Sequence, residues 1–202
     1  MKRMIIAMLM VVIATTAVAQ NATQARKILD KTAAIVGNKG GASANFTLTN
    51  KKMGSVSGSI SIKGRMFHAT TPQAIVWYNG KTQWSYMKAN EEVNVTTPNE
   101  AQQAKMNPYQ FISLYKSGYD LGMTDKGNNC WIHMTAQNKQ RSIQEAYILI
   151  DKKSYKPSQV KMRQGNEWTT INISGFKAKN LPNSLFTFRA KDYPHAEVID
   201  LR

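Results

Sequence analysis

Three histidines, one cysteine and twelve carboxylates are the groups in this 202-residue chain that could support acid–base, nucleophilic or metal chemistry. Their spacing argues against all three. Cys130 and His133 lie in the run Cys130-Trp131-Ile132-His133, and strand alternation points residues three apart to opposite faces. Cys130 is therefore expected to be a buried structural thiol. His68 falls in a strand and His195 in the tail, and none of the histidines has ligand spacing to another. Gly54-Ser55-Val56-Ser57-Gly58 carries valine where a nucleophile elbow needs its serine. The chain has no Walker loop, dinucleotide fingerprint or His-Glu-x-x-His motif. The expectation is a protein that is not an enzyme, with no catalytic residue, metal site or cofactor.

What remains is apolar binding, and it centres on the stretch from Gly58 to Val95. Ala74 to Met87 reads as two strands around Asn79-Gly80, a strong short-range hairpin signal. A two-residue loop there would pair Tyr78 with Lys81, Ile75 with Trp84 and Trp77 with Thr82. Alternation then puts Ile75, Trp77, Trp84 and Tyr86 on one broad aromatic face, and Val76, Tyr78, Gln83 and Ser85 on the other. An apolar sheet face must be covered, and both an ordinary filled core and a cavity wall satisfy that requirement.

The elements that position this hairpin follow in order. Ala22 to Val36 has a helical apolar stripe of Ala22, Ala25, Ile28, Leu29, Thr32, Ile35 and Val36, with Arg26, Lys27, Asp30 and Lys31 opposite. Strands are expected at 44–49, 55–63 (with Ile60 and Ile62 alternating), 65–70 and 91–97 (with Val93 and Val95 on one face). Asn107-Pro108 marks a helix start, and Phe111, Leu114 and Tyr115 give that helix an apolar stripe to about Lys116. Strands resume at 119–124, 129–137, 143–150, 158–164 and 167–174, and Phe186-Thr187-Phe188 reads as a last short strand. The order implies a mainly β fold of the α+β kind, a strongly curved antiparallel sheet with helices on its inner side.

Lys2 and Arg3 precede an apolar run from Met4 to Ile13, and Ala17-Val18-Ala19 supplies small residues for cleavage. Residues 1–19 therefore read as a secretory signal and 20–202 as one domain. The apolar run is shorter than the roughly 20 residues of a spanning helix. Loss of Lys2 and Arg3 leaves 25 basic against 12 acidic residues, a formal +13. In an exported protein such a balance suits anionic headgroups, acidic glycans or an acidic protein rather than nucleic acid. A single cysteine permits no intrachain disulfide.

Taken together, Gly58 to Lys63 leading to Arg65 and Phe67, Asn79-Gly80-Lys81-Thr82-Gln83-Trp84-Ser85-Tyr86, the Asn107-Pro108 helix start, Phe186-Thr187-Phe188 and Val198-Ile199-Asp200 resemble the periplasmic outer-membrane lipoprotein carrier family, the LolA type. The resemblance covers nearly all of the mature chain. It implies an incomplete antiparallel barrel whose open side is covered by helices and which encloses a lipid-binding apolar cavity, in a monomeric periplasmic chaperone for lipoprotein transport and outer-membrane biogenesis. Acylated lipoproteins would be received from an inner-membrane lipoprotein-releasing ABC transporter and passed to an outer-membrane acceptor. The cavity residues it implies are Ile60, Ile62, Phe67, Ile75, Trp77, Trp84, Tyr86, Val93 and Val95, with a lid of Phe111, Leu114 and Tyr115. Arg65 is the match for the family's lid-closing arginine, although the usual proline is missing from Lys63-Gly64-Arg65-Met66-Phe67-His68. A carrier of another lipid or glycolipid, or a structural envelope protein on the same sheet, also fits these residues. N-terminal sequencing of protein from the native cell should begin at Gln20; a retained Met1 in envelope fractions would defeat the export reading.

Overall fold

The computed structural model describes residues 21–99 and 113–202. It begins with a helix, α1, over residues 21–36. Ala25, Ile28, Leu29, Thr32 and Val36 are buried along one stripe, as the 3.6-residue period requires. The Gly37 amide donates to the Ala33 carbonyl at 2.8 Å at the end of the helix.

Six strands follow, β1 (Ala42–Asn50), β2 (Gly54–Lys63), β3 (Met66–Thr70), β4 (Ala74–Tyr78), β5 (Gln83–Met87) and β6 (Glu92–Thr96), each antiparallel to the one before. A second meander contains β7 (Tyr119–Lys126), β8 (Asn129–Ala136), β9 (Glu145–Asp151), β10 (Pro157–Gln164) and β11 (Glu167–Ala178). The long strands β1 and β11 pair antiparallel and join the two meanders into one sheet. The last strand, β12 (Glu197–Asp200), pairs parallel to β6. The strand order is β12-β6-β5-β4-β3-β2-β1-β11-β10-β9-β8-β7, a curled open sheet that does not close into a barrel.

This is the expected fold class, with four local differences. Trp77 pairs with Trp84, Ile75 with Tyr86 and Tyr78 with Gln83, so the hairpin loop is Asn79–Thr82 rather than two residues. Asn79 organises it: its Oδ1 accepts from the amides of Lys81 at 3.0 Å and Thr82 at 2.8 Å. The shift is two residues, so the same side chains share a face as expected. Second, Phe186-Thr187-Phe188 is not a strand, because Asn183–Phe186 form a 3-10 turn. Third, the tail contains β12. Fourth, of the expected helix to Lys116, Asn107 to Ile112 lie outside the described residues and Leu114–Lys116 form a 3-10 turn. The signal segment also lies outside them.

Register is interrupted once where it matters. Between Ser43 and Asn45 the β1–β11 pairing slips, opposite Gly175, which has φ 61°. This bulge reverses the alternation of β11, so that Phe176 joins Val36, Ile62, Phe67 and Tyr78 on the helix side.

Gly58 is fixed by close approach. A Cβ there would lie 2.3 Å from the Thr70 carbonyl oxygen and 2.8 Å from Cζ of Phe46, its partner across β1. Gly58→Ala should therefore lower unfolding stability by about 1–3 kcal/mol. Gly122→Ala, where a Cβ meets nothing closer than 4.0 Å, should change it little. Urea denaturation of the two variants provides the comparison.

Candidate functional site

The helix-side face of the sheet is apolar from β7 across to β4 and turns polar at β5 and β6, where it carries Gln83, Ser85 and Asn94. At one end Ala25, Ile28 and Leu29 of α1 pack with Tyr119, Cys130, Ile132, Met134, Ile148 and Ile150. At the other, Val36 packs with Ile62, Phe67 and Tyr78, and the Phe67 and Tyr78 rings lie 5.5 Å apart. Between these clusters, register continues the same face through Phe46 opposite Ile173, Leu48 opposite Ile171, and Leu48 opposite Val56. These side chains are only half-buried. α1 thus covers two parts of the face and leaves an apolar stripe between them. The Thr32 and Tyr78 hydroxyls are buried on this side with no hydrogen-bond partner, an arrangement that weakens the helix–sheet contact.

The nine expected cavity residues do not share that face. Ile60, Ile62 and Phe67 are on the helix side. Ile75, Trp77, Trp84, Tyr86, Val93 and Val95 point to the far face, because they alternate with Val76, Tyr78 and Gln83 along the paired strands. There the C-terminal segment covers them. Trp77 meets the rings of Phe188 at 5.4 Å and Tyr193 at 5.5 Å, and Tyr86 meets Tyr193 at 4.8 Å. His68 joins this cluster beside Trp77, and burial pushes its pKa down. Val93 and Val95 are fully enclosed. The aromatic face of the hairpin is thus a single face, while the nine residues expected to line one cavity are divided between it and the face packed against α1.

Of the lid residues, Phe111 lies outside the described residues. Leu114 packs against the first cluster, and buried Tyr115 donates from its hydroxyl to Asp30 of α1. Arg65 is exposed in the β2–β3 turn beside Gly64. Residues absent from the expected site are Phe46, Leu48, Val56, Ile171 and Ile173. The signal for them was their own alternation in β1, β2 and β11.

The remaining candidate groups lie on both faces. Cys130 is buried on the helix side, which pushes its thiol pKa up, and His133 faces the other way. His133 stacks on Tyr147 at 4.3 Å and lies 3.0 Å from Glu145 Oε1. Tyr147 donates to the same oxygen at 2.8 Å, and Arg163 Nε donates to Oε2 at 3.1 Å. Glu145 is held below its ordinary pKa mainly by the Tyr147 hydroxyl, with Arg163 and His133 adding to it against the opposing effect of burial. Among the described residues no group of three or more His, Cys, Asp or Glu is placed to hold a metal ion. No described helix is long and apolar enough to cross a membrane.

Among the described residues, the chain is thus a curled open sheet whose apolar face is covered in part by α1. Residues 15–166 match the family model described as outer membrane lipoprotein carrier protein LolA, and the chain belongs to that family. No curated protein matches it by sequence. Among solved structures, an uncharacterized conserved protein from Thermus thermophilus is similar at a TM-score of 0.57 and 13% identity, over 88% of this chain and 99% of that one. LprF from Mycobacterium bovis is similar at 0.47 and 8% identity, over 81% and 98%. A LolA superfamily protein from Nitrosomonas europaea is similar at 0.43 and 10% identity, over 81% and 97%.

The depressed Glu145 pKa sets a pH dependence. The carboxylate's contribution to stability is fully present above its ordinary value of 4.5 and is lost as pH falls through the lower folded value. Glu145→Gln should therefore flatten the fall in stability below pH 4.5, measured by urea titrations at stepped pH, with little change in slope near pH 7.

Proposed function

We propose that this protein is an exported periplasmic carrier, a signal peptide over 1–19 followed by one carrier domain over 20–202, that shelters the acyl chains of lipoproteins between membranes. It would receive them from an inner-membrane lipoprotein-releasing ABC transporter and yield them to an outer-membrane acceptor. One observation carries the reading: Phe46, Leu48, Val56, Ile171 and Ile173 form a half-buried stripe on the apolar helix-side face, between the two clusters that α1 buries. Family membership supports the choice of cargo. An acyl chain of roughly 15 methylenes gains about 12 kcal/mol on leaving water, at ~0.8 for each, so an apolar container is a physical necessity for aqueous transit.

In this reading Ile60, Ile62 and Phe67 belong to the chain-binding face together with the stripe. Leu114 and Tyr115 anchor the segment entering β7 against α1, and Arg65 fastens the closed state. The far-face aromatics serve as a packed scaffold that keeps the sheet in shape.

Transfer of a radiolabelled acylated lipoprotein between membranes, beside an unacylated control, provides the test. Leu48→Glu places a carboxylate against the chain and should weaken acyl binding by over ~100-fold, given a desolvation cost of several kcal/mol. Trp84→Glu, on the other face, should lower stability while the folded fraction still binds. Equal handling of acylated and unacylated cargo would overturn the reading. Co-purified lipid without lipoprotein would redirect it to another amphiphile.

A further inference from the structure

The strong basic charge is not spread evenly over the sheet. Antiparallel pairing places the α1–β1 loop, the end of β2, the end of β11, the β9–β10 turn and the β7–β8 turn at one end of the strands. These supply Lys39; Lys63; Lys177 and Lys179; Lys152, Lys153 and Lys156; and Lys126, respectively. The β4–β5 turn adds Lys81 at the same end. Because β2, β1, β11, β10, β9, β8 and β7 are consecutive neighbours, the charges form one arc, about 30 Å long at ~4.8 Å per strand.

Acidic groups do not cancel it. Among the described residues, those at this end are engaged locally. Asp125 pairs with Lys152 at 3.0 Å, Asp151 accepts from Ser154, and Asp200 pairs with Arg202, which pulls its pKa to about 2. Lys39, Lys81, Lys126, Lys153, Lys156, Lys177 and Lys179 are all exposed. At the opposite end, Lys51, Lys52, Lys88, Lys139 and Arg141 are interleaved with Glu91, Glu92, Glu167 and Glu197. The two ends therefore differ in sign pattern as well as amount.

We infer that the basic rim is a docking surface for an anionic lipid bilayer and sets which end of the carrier faces the membrane. The occupant follows from the kind of charge and its layout. The rim is almost entirely lysine, a compact point charge on a flexible stem, whereas bidentate capture of particular carboxylates favours arginine. Its charges stand on separate turns along an arc, which suits many laterally mobile phosphates and not one folded acidic peptide. Lysines near an anionic leaflet contribute additively and within a Debye length, about 10 Å at 0.1 M salt.

The inference is independent of the acyl-carrier reading, and its test keeps net charge constant. Binding of the full mature chain is measured by co-sedimentation with phosphatidylcholine vesicles, with and without phosphatidylglycerol. The rim variant carries Lys126→Glu, Lys153→Glu, Lys156→Glu and Lys179→Glu. The matched control carries Lys51→Glu, Lys52→Glu, Lys88→Glu and Lys139→Glu. The rim variant should bind phosphatidylglycerol vesicles over ~100-fold more weakly than wild type, at roughly fivefold for each lysine removed, while the control loses much less. High salt should abolish wild-type binding. Far-UV circular dichroism checks folding, and four Lys→Gln changes at the rim positions keep the test open if the Glu variant unfolds. Equal loss in rim variant and control would show net charge alone at work and overturn the inference. So would rim variants that bind vesicles as wild type does but lose retention on immobilised polyglutamate, an outcome that would assign the rim to an acidic polypeptide.

Discussion

Among the described residues, one helix covers the apolar face of a much wider sheet. α1, over residues 21–36, is about 24 Å long at 1.5 Å per residue. Twelve strands at ~4.8 Å spacing span more than 50 Å, and even strong curling leaves more inner surface than α1 can reach. The helix meets the sheet where residues are fully buried, around Ile28 and Leu29 at one end and Val36 at the other. Between these clusters in strand order lie Phe46, Leu48, Val56, Ile171 and Ile173, half-buried on the same face. Among the described residues, the candidate site is thus the part of the apolar face that α1 leaves half-buried.

The wide face exists only because two meanders are joined. β1 and β11 are far apart in sequence, and their pairing turns two shorter sheets, each with an exposed inner edge, into one surface. The bulge at Gly175 lets the join serve both sides of the helix–sheet contact. Before it, Ile171 and Ile173 face the stripe; after it, the reversed alternation brings Phe176 beneath Val36. The far face is closed by different means, with β12 returning to β6 after Phe188 and Tyr193 have packed on Trp77 and Tyr86.

The elements were legible because each carries its own period. The Ile28, Leu29, Thr32 and Val36 stripe gave α1, alternation gave the strands, and the opposed orientations of Cys130 and His133 followed from a three-residue offset. Which residues share a face was legible too, since the two-residue error in the Asn79 hairpin leaves alternation untouched. What covers a face was not. Alternation groups Trp77 with Trp84 and Tyr86, but it contains no information about whether a helix or the chain's own tail will pack there. The tail's Phe188 and Tyr193 lie in a stretch with no helical or strand period. Their role is set by long-range packing, so sequence alone favours the more aromatic of two apolar faces as the site.

For the proposed cargo, magnitudes constrain how loading occurs. Fully burying a Val, Leu or Ile side chain is worth about 1.5–3 kcal/mol, so Ile28, Leu29 and Val36 together hold α1 down by about 4.5–9 kcal/mol. An acyl chain gains about 12 kcal/mol from complete burial, and less where part of it remains in contact with water. The two terms are comparable, and α1 contributes less at the Val36 end, where the contact is small and the Thr32 and Tyr78 hydroxyls are buried without partners. Cargo that spreads along the stripe and displaces the cover only there gains most of its burial while α1 remains seated on the larger cluster. A tighter cover would exclude the chain, and a looser one would leave the stripe open to self-association. Marginal closure over part of one face is what a reversible carrier requires.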